Sequence, residues 1–234
     1  MNKLLVITGG SRGIGKAVIE KFSSAGFDIS VSARKRQDLE NLKSEMEKKY
    51  HNGVHIFDGD MSVEKEVKAY GLSVLELKRP IDILINNAGY FVPGELSTEP
   101  DGAFENTMHA NIFSAYYMTR CILPSMKALR SGHIFNMCSI ASIKAYANGG
   151  SYAISKFALL GFSKCLREEL KSYGIRVTAV MPGATKTASW DSVDLPESRF
   201  MKVEDVADSI FAAYSLSTRS VVEEIIIRPQ LGDI

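Results

Sequence analysis

The stretch SYAISKFALLGF at 151–162 places a phenol and an amine, Tyr152 and Lys156, four residues apart on a predicted helix. Residues i and i+4 share a helix face, so the two side chains would lie next to each other. A cation about 4 Å from a phenol, at an effective dielectric constant of about 20, stabilises the phenolate by ~4 kcal/mol, or about three pKa units. We therefore predict that Lys156 lowers the pKa of Tyr152 toward neutrality, with burial of the phenolate opposing this shift.

An acid of this kind suits the reduction of a carbonyl group. A carbonyl that receives a hydride gains negative charge on its oxygen, so the site needs a donor to hold the oxygen and an acid to protonate it. Ser139, at the end of the predicted strand HIFNMCS, can hold the oxygen, and Tyr152 can be the acid. Ser142 is the alternative serine, and Ser139 could instead be a helix N-cap. Because Tyr and Lys also occur at this spacing by chance, the surrounding elements must decide.

The stretch LLVITGGSRGIGKAVIEKF has the order strand, glycine-rich turn and amphipathic helix. In this order, Gly9, Gly13 and Gly15 permit a tight turn, close approach of the backbone to a pyrophosphate and close packing of helix on strand. The helix beginning near Gly13 would present free N–H groups and a positive dipole end to the phosphates. A simple strand-to-helix turn is the alternative, but the order of elements favours dinucleotide binding.

The residues after the second predicted strand indicate which dinucleotide binds. An acidic residue there would hold the ribose 2′-hydroxyl of NAD, whereas an arginine accommodates the 2′-phosphate of NADP. The chain has Ala33 and Arg34 at this place, with Lys35 and Arg36 behind them and Arg12 in the glycine loop. Basic residues are poorly placed at a helix N-terminus, so an anionic ligand explains the cluster better than a solvated helix start. The sequence therefore favours NADP(H).

These residues need elements that bring them together, and seven short apolar runs alternate with helical patterns along the chain. The runs lie at 4–8, 28–33, 55–60, 81–86, 133–139, 176–182 and 221–229. Runs such as IDILI are typical of strands buried on both faces of a parallel sheet, so we predict an α/β fold built from βαβ units.

The helical patterns between the strands lie at 14–25, 62–78, 103–130 and 150–173. We predict that Ser62 caps the second of them and that Pro124 kinks the third.

Composition excludes several classes of protein. The 234 residues carry a net charge of +1 with interspersed acids and bases, which argues against nucleic acid as a partner. The chain has no apolar stretch of membrane-spanning length and no signal-peptide core, so we expect no membrane association. Its three cysteines are scattered, and His109 and His133 have no metal-spaced companions, so we predict neither disulfides nor a metal site. We expect a single domain, 1–234, in the cytoplasm.

Taken in order, the motifs resemble those of the classical short-chain dehydrogenase/reductase family. The matching motifs are TGGSRGIG at 8–15, Asp60-Met61, Asn86-Asn87-Ala88-Gly89, Asn111, Ser139, Tyr152 with Lys156, and Pro182-Gly183 with Thr187. The resemblance runs through nearly the whole chain and implies a Rossmann-like, doubly wound, seven-stranded parallel sheet with helices on both faces. It also implies a nicotinamide cofactor.

The resemblance further implies a role for each matching residue. The catalytic group would be Asn111, Ser139, Tyr152 and Lys156, with Asn111 anchoring a water that bridges to Lys156 and with Lys156 bonded to the nicotinamide ribose. The cofactor-binding residues would be Gly9, Ser11, Arg12, Gly13, Ile14, Gly15, Arg34, Asp60, Met61, Asn87, Ala88, Gly89, Tyr152, Lys156, Pro182, Gly183 and Thr187. Among these, Asp60 would contact the adenine, Asn87 to Gly89 would border the ribose, and Pro182, Gly183 and Thr187 would flank the nicotinamide.

The substrate side is predicted to be apolar and partly aromatic. Its residues would be Tyr90, Phe91, Ile140, Tyr146 and Met181, which favours a neutral ketone, diketone or aldehyde over a keto acid. The aperiodic segment 184–202 could be a mobile lid, or Trp190 could anchor it to the body.

Two hypotheses about function follow. The first is an NADP(H)-dependent oxidoreductase that transfers a hydride between nicotinamide and a carbonyl or secondary alcohol. The alternative is a non-catalytic dinucleotide-binding regulatory protein, which would not need the tyrosine and lysine. Exposed apolar residues on the two long predicted helices favour a homodimer or homotetramer that pairs them across a two-fold axis.

Overall fold

A computed structural model describes residues 2–190 and 193–234 of the chain. Its strands are β1 (Leu4–Thr8), β2 (Asp28–Ala33), β3 (Val54–Asp58), β4 (Ile83–Asn86), β5 (Gly132–Met137), β6 (Ile175–Pro182) and β7 (Glu224–Ile227). They form one parallel sheet in the order β3-β2-β1-β4-β5-β6-β7. The predicted α/β fold with a seven-stranded parallel sheet is confirmed.

Helices cover both faces of this sheet. They are α1 (Gly13–Ser24), α2 (Arg36–Tyr50), α3 (Glu64–Leu75), α4 (Ala103–Met108), α5 (Ser114–Leu129), α6 (Gly150–Leu170) and α7 (Val203–Ser215). One apolar core lies between the sheet and α1, α2 and α7, and a second lies between the sheet and α3, α5 and α6. All residues of β1 and β4 are buried, as expected for central strands of a two-sided sheet.

The strand order creates a crevice at one edge of the sheet. The chain passes from β1 to β2 and β3 on one side and then returns to β4 on the other side of β1. The loops that follow β1 and β4 therefore leave the sheet in opposite directions. In doubly wound sheets, ligands bind in this crevice at the carboxyl ends of the strands.

The structure corrects two predictions about helices. The predicted helix 62–78 begins at Glu64, and Ser62 does not cap it, because the Ser62 hydroxyl donates to Asp60 Oδ1 at 2.8 Å. Pro124 lies inside α5, which continues through it, so the kink at Pro124 stays a prediction. The long pattern at 103–130 is interrupted by a π-helical turn at His109–Phe113.

The other boundaries differ by a few residues. The predicted helix 150–173 ends at Leu170 and is followed by a 3₁₀ turn at Lys171–Tyr173. The predicted strand 221–229 is reduced to β7, which pairs only with β6 at the edge of the sheet.

Among the described residues, no helix has the length and hydropathy that a membrane span requires.

Candidate active site

A large cleft runs along the carboxyl ends of the strands. Its volume is about 1740 Å³, which is more than a small carbonyl compound fills and leaves room for a dinucleotide beside it. Every predicted catalytic and cofactor-binding residue lines this cleft except Asn111, which is buried behind its wall. The crevice between the β1 and β4 loops, where the strand order reverses, is therefore the site of these residues.

The glycine loop forms one end of the cleft. Gly9 has φ +68° and Gly13 has φ +55°, so both occupy the left-handed region that favours glycine. A Cβ on Gly15 would lie 2.6 Å from the Gly9 carbonyl oxygen and 2.7 Å from Asn87 Nδ2. Helix α1 begins at Gly13, so its first N–H groups face the cleft as an anion-binding end.

The loop after β4 holds the glycine loop in place through a residue that sequence reasoning missed. Thr8 Oγ1 accepts hydrogen bonds from the backbone N–H groups of Asn87, at 3.1 Å, and Ala88, at 3.0 Å. Asn87 Nδ2 in turn donates to the carbonyl oxygens of Thr8, at 3.0 Å, and Gly9, at 2.7 Å. Both N–H groups of the Asn87 amide are thus used to fix the loop. Thr8 opens the TGGSRGIG motif but had no role assigned to it, so only the fold reveals this contact.

The basic cluster after β2 is only partly available to a ligand. Arg36 Nη1 donates to Asp58 at 2.9 Å and its Nε donates to Glu40 at 3.0 Å, so its charge is already neutralised. Arg12 and Arg34 are exposed at the cleft, and Lys35 lines it as well. A phosphate at this end would therefore meet Arg12, Arg34 and Lys35.

Asp60 and Met61 line the same end of the cleft. The Asp60 carboxylate accepts from the backbone N–H and the hydroxyl of Ser62, each at 2.8 Å, which fixes its orientation. Met61 is 5% exposed and packs into the core beneath the cleft.

Tyr152 and Lys156 lie side by side on α6, as predicted, but the lysine does not dominate the acidity of the tyrosine. Lys156 Nζ lies 5.6 Å from the Tyr152 ring centroid and donates to the Met137 carbonyl oxygen at 2.7 Å. Burial raises the pKa of Tyr152 to about 12, with a hydrogen bond to Ser139 acting in the opposite direction. Burial also lowers the pKa of Lys156 to about 8. The predicted fall of the Tyr152 pKa is therefore wrong for the protein without ligands, because desolvation of the phenolate outweighs the cation.

Ser139, rather than Ser142, is the serine that faces Tyr152. Ser139 Oγ accepts a hydrogen bond from the Ala141 N–H at 3.1 Å, and the Ser139 hydroxyl acts to lower the pKa of Tyr152 against the larger effect of burial. Ser142 is fully buried, and its Oγ accepts from the Ser139 N–H at 3.2 Å. The N-cap alternative also holds, since Ser139 caps the short 3₁₀ turn Ile140–Ser142. Because the cap uses only a lone pair of Ser139 Oγ, the hydroxyl can still donate its proton to a partner in the cleft.

Asn111 occupies the π-helical turn before α5 and is 1% exposed. Its Oδ1 accepts from the Tyr90 N–H at 2.9 Å, and its Nδ2 donates to the Tyr90 carbonyl at 3.1 Å and to Ser155 Oγ at 3.0 Å. Ser155 Oγ donates to the Tyr152 carbonyl at 2.7 Å. Asn111 thus connects the loop after β4 to the helix turn that carries Tyr152. Ser155 lacks a motif signal, so sequence reasoning missed it.

Another part of the cleft wall combines the loop after β6 with aromatic side chains. Pro182, Gly183 and Thr187 line it, and Thr187 Cγ2 would lie 3.3 Å from a Cβ on Gly13 across the cleft. The predicted substrate-side residues Tyr90, Phe91, Ile140 and Tyr146 also line the cleft. Met181 does not, because its side chain is fully buried in a core cluster between α6 and β6.

The segment 184–202 contains two short 3₁₀ turns, Ala188–Trp190 and Glu197–Arg199, and an isolated bridge between Thr185 and Met201. The Trp190 ring packs 5.4 Å from the Phe200 ring, a contact within the segment itself, so the anchor and the lid both stay predictions. Positions 191 and 192 of this predicted lid lie outside the described residues.

Among the described residues, no group of three or more His, Cys, Asp or Glu could hold a metal ion.

Comparison with known proteins identifies the family. The family model for the short chain dehydrogenases matches residues 3–198. The chain belongs to the short-chain dehydrogenase family. It is therefore an oxidoreductase, and the order of its motifs along the strands agrees with this assignment.

Three relatives show how far the family likeness extends. A sepiapterin reductase from Chlorobaculum tepidum is 34% identical over 242 aligned residues, with 100% of this chain and 99% of that protein covered. An L-sorbose reductase from Gluconobacter frateurii, solved with NADPH and L-sorbose, is 27% identical with a TM-score of 0.88, covering 97% of this chain and 95% of that chain. An alcohol dehydrogenase from Thermococcus sibiricus is 24% identical, with a TM-score of 0.93. The superposition covers 100% of this chain and 99% of that chain, and it confirms the Rossmann-like fold.

Proposed function

We propose that this protein is an NADPH-dependent carbonyl reductase that acts on a neutral ketone, diketone or aldehyde. The observation that carries the proposal is the presence of two hydroxyls, those of Ser139 and Tyr152, in the wall of one cleft together with the buried amine of Lys156. Two hydroxyl donors in one place are what a carbonyl oxygen needs as it gains charge. A dinucleotide-binding regulator would not need this arrangement.

Residues on both sides of the cleft fit NADP(H). The cradle between Gly9 and Gly15 has no room for a Cβ, so the backbone can approach a pyrophosphate closely. The exposed guanidinium groups of Arg12 and Arg34, with Ala33 in place of a carboxylate, suit the 2′-phosphate. The NADPH found in the related sorbose reductase supports the same choice.

When bound, the nicotinamide supplies or accepts the hydride, and the protein handles the charge and the proton. Ser139 holds the carbonyl oxygen, and Tyr152 donates its phenolic proton to that oxygen as negative charge develops. Lys156, held by the Met137 carbonyl, places a cation beside the phenol and stabilises the phenolate that remains. Asn111 and Ser155 fix the turn that carries Tyr152.

The cleft also supports a neutral substrate. Tyr90, Phe91, Ile140 and Tyr146 give the substrate side an aromatic and apolar lining. One of the relatives is a sepiapterin reductase. The first compound to test is therefore sepiapterin, a neutral pterin with a side-chain ketone.

The test follows NADPH oxidation by absorbance with sepiapterin and a panel of neutral ketones, diketones and aldehydes, with keto acids for comparison. We expect turnover of neutral carbonyls, a preference for NADPH over NADH, and a loss of activity of about 10²- to 10⁴-fold in Tyr152→Phe, which should keep its affinity for NADPH. Tight NADPH binding without turnover of any compound would favour the regulator. Activity in Tyr152→Phe equal to that of the natural protein would show that another group is the acid.

The thiols support a reducing environment. Cys138 is buried, Cys121 is partly exposed, Cys165 is exposed, and all three are free. An exposed free thiol is vulnerable to oxidation outside the cell, so we place the protein in the cytoplasm.

We further propose a homo-oligomer formed through α5 and α6. Two exposed apolar faces lie there. One carries Phe113 and Tyr116, each 37% exposed, and the other carries Ile154, 40% exposed, and Phe157, 46% exposed. The two faces adjoin, since the Tyr116 and Phe162 rings lie 5.8 Å apart. A two-fold axis would bring the same faces of a second copy together, so the occupant of this surface is another copy of the chain.

A further inference from the structure

The loop that follows β4, residues 90–99, lies against the first turn of α6 at two points. We call it the β4 loop. One contact is made by Glu99 and the other by Phe91, and both involve the turn that carries Tyr152. No sequence motif marks either residue.

Glu99 supplies the cap of α6 from a distant part of the chain. Its Oε1 accepts the Ser151 backbone N–H at 2.9 Å, and its Oε2 accepts the Ser151 hydroxyl. These bonds lower the pKa of Glu99. The N-cap residue, Gly149, contributes no side-chain hydrogen bond to the helix end. The Glu99 carboxylate supplies that cap at the positive end of a 21-residue helix. Because Glu99 lies 52 positions before Ser151, the cap also ties two segments together.

The backbone around Gly150 is shaped for this contact. Gly150 has φ +38°, and a Cβ there would lie 2.0 Å from Glu99 Oε1 and 2.6 Å from the Gly94 carbonyl oxygen. The Gly94 N–H donates to the Asn148 carbonyl at 3.0 Å, which brings the loop against the segment that enters α6. The carboxylate therefore fills the space that any other side chain at position 150 would need.

The second contact reaches the catalytic tyrosine directly. The Phe91 ring meets the Tyr152 ring edge to face, with centroids 4.8 Å apart. Phe91 lines the cleft, so its ring shields one side of the phenol from water. Tyr152 follows Ser151 in the chain, so the bond to Glu99 and the contact with Phe91 fix the same turn.

We propose that Glu99 is a positioning residue, whose carboxylate fastens the β4 loop to α6 and so holds Phe91 against Tyr152 in the geometry for proton transfer. This inference rests on the proposed function, since it assigns Tyr152 as the acid. It also predicts that the effect of Glu99 passes through hydrogen bonds to Ser151, because the carboxylate does not touch the cleft.

The test compares Glu99→Ala with Glu99→Gln and with a control on the same loop, Glu95→Ala. The glutamine keeps one acceptor for the Ser151 N–H and gains a donor for the Ser151 hydroxyl, whereas alanine keeps neither. Glu95 is exposed, and it is Glu99, not Glu95, whose carboxylate accepts the Ser151 N–H. For each variant, kcat and KM for the carbonyl substrate, the Kd of NADPH and the Tm are measured.

We expect Glu99→Ala to lower kcat about tenfold or more, as a small misplacement of a reacting group does, with the Kd of NADPH unchanged. Glu99→Gln should stay within about threefold of the natural protein, and Glu95→Ala should match it. A Glu99→Ala protein that loses Tm but keeps its kcat would overturn the proposal, since Glu99 would then be only a stabilising cap. A glutamine variant as impaired as alanine would also overturn it.

Hydrogen–deuterium exchange separates this inference from the proposed function, because it requires no turnover. Glu99→Ala should speed exchange in both 88–102 and 151–156, and Glu95→Ala should do so in neither segment. Unchanged exchange in Glu99→Ala would contradict the fastening of the loop. If the natural protein reduces no carbonyl, the proposed function fails, and the exchange result still decides whether Glu99 joins the two segments.

Discussion

Tyr152 and Lys156 illustrate how burial acts in opposite directions on an acid and a base. Removing water disfavours the charged form of each group, so the pKa of Tyr152 rises to about 12 and that of Lys156 falls to about 8. Burial therefore favours the neutral phenol of Tyr152 and the neutral amine of Lys156. Tyr152 is held as a proton donor, the form that carbonyl reduction requires.

The first prediction at this scale concerns the pH dependence of carbonyl reduction. Lys156 has a pKa of about 8 in the free protein, so its charge is lost as the pH rises through that value. We expect kcat/KM, which reports groups of the free enzyme, to fall above about pH 8 as the cation beside Tyr152 disappears. Initial rates with NADPH across about pH 6 to 10 measure this. A flat profile through about pH 9 would show that the charge of Lys156 is not required.

His133 is buried in the sheet with a fixed tautomer. Thr178 Oγ1 donates to the Val222 carbonyl at 2.6 Å, so it accepts the proton of His133 Nε2 at 2.7 Å. Among the described residues, His133 Nδ1 has no hydrogen-bond partner. Burial, helped by the charge of Arg176, lowers the pKa of His133 to about 2.

This histidine should make the fold sensitive to acid. The folded protein keeps His133 neutral, whereas the unfolded chain binds a proton below about pH 6.5, so the histidine has no effect above that pH. Below it, the free energy of unfolding should fall by about 1.4 kcal/mol per pH unit, or about 2 kcal/mol by pH 5, because the unfolded state binds the additional proton. Urea unfolding at pH 7 and pH 5 measures this difference.

A matched pair of variants isolates the contribution of His133. His133→Gln keeps a donor for Thr178 without a titrating group. Between pH 7 and pH 5, its free energy of unfolding should therefore fall by about 2 kcal/mol less than that of the natural protein. His51→Asn alters an exposed histidine at a left-handed helix end, which asparagine tolerates, and should leave the acid dependence unchanged. Equal acid dependence in the two variants would contradict the assignment to His133.

At the scale of elements, the glycine loop and α1 depend on the close approach of two backbones. We predict that Gly15→Ala weakens NADPH binding at least about tenfold, because its Cβ would lie 2.6 Å from the Gly9 carbonyl and displace the loop. Fluorescence titration with NADPH measures the effect. Gly161→Ala in α6, where a Cβ meets nothing within 4 Å, should leave this affinity unchanged. NADPH affinity in Gly15→Ala equal to that of the natural protein would contradict the proposed cofactor site.

The helix before α5 shows how an irregular element serves the site. The π-helical turn His109–Phe113 turns Asn111 toward Tyr90 and Ser155. Ser114 Oγ donates to the Ala110 carbonyl at 2.6 Å and so satisfies an oxygen within the turn. Such turns are frequent at functional sites because they redirect one side chain without ending the helix.

At the scale of the whole molecule, the exposed faces of α5 and α6 predict an oligomer. We expect Phe157→Glu to shift the protein to a smaller species, because it places a charge in the apolar face that we assign to the second copy. Light scattering after gel filtration measures the mass. Leu72→Glu, on the exposed side of α3, is the matched control and should leave the mass unchanged. A monomeric natural protein would remove the basis of this proposal.

The sequence predicted the elements well where the pattern is local. β1 and β2 have the predicted bounds, and the glycine turn follows β1 as expected, because alternation, helical spacing and turn chemistry depend on neighbouring residues. It failed where a distant partner changes the outcome. Ser62 binds Asp60 instead of capping a helix, Arg36 is engaged by Asp58, and Met181 points into a core cluster rather than the cleft.

The sequence by itself determined the family, the order of the strands along the chain and the residue types of the site, since these depend on motifs and spacing. The tertiary structure alone decided which groups meet across the sheet edge. Thr8 with Asn87, Asn111 with Ser155, and Glu99 with Ser151 are separated by 79, 44 and 52 positions. The acidity of Tyr152 was decided in the same way, because burial depends on how the whole chain packs around the phenol.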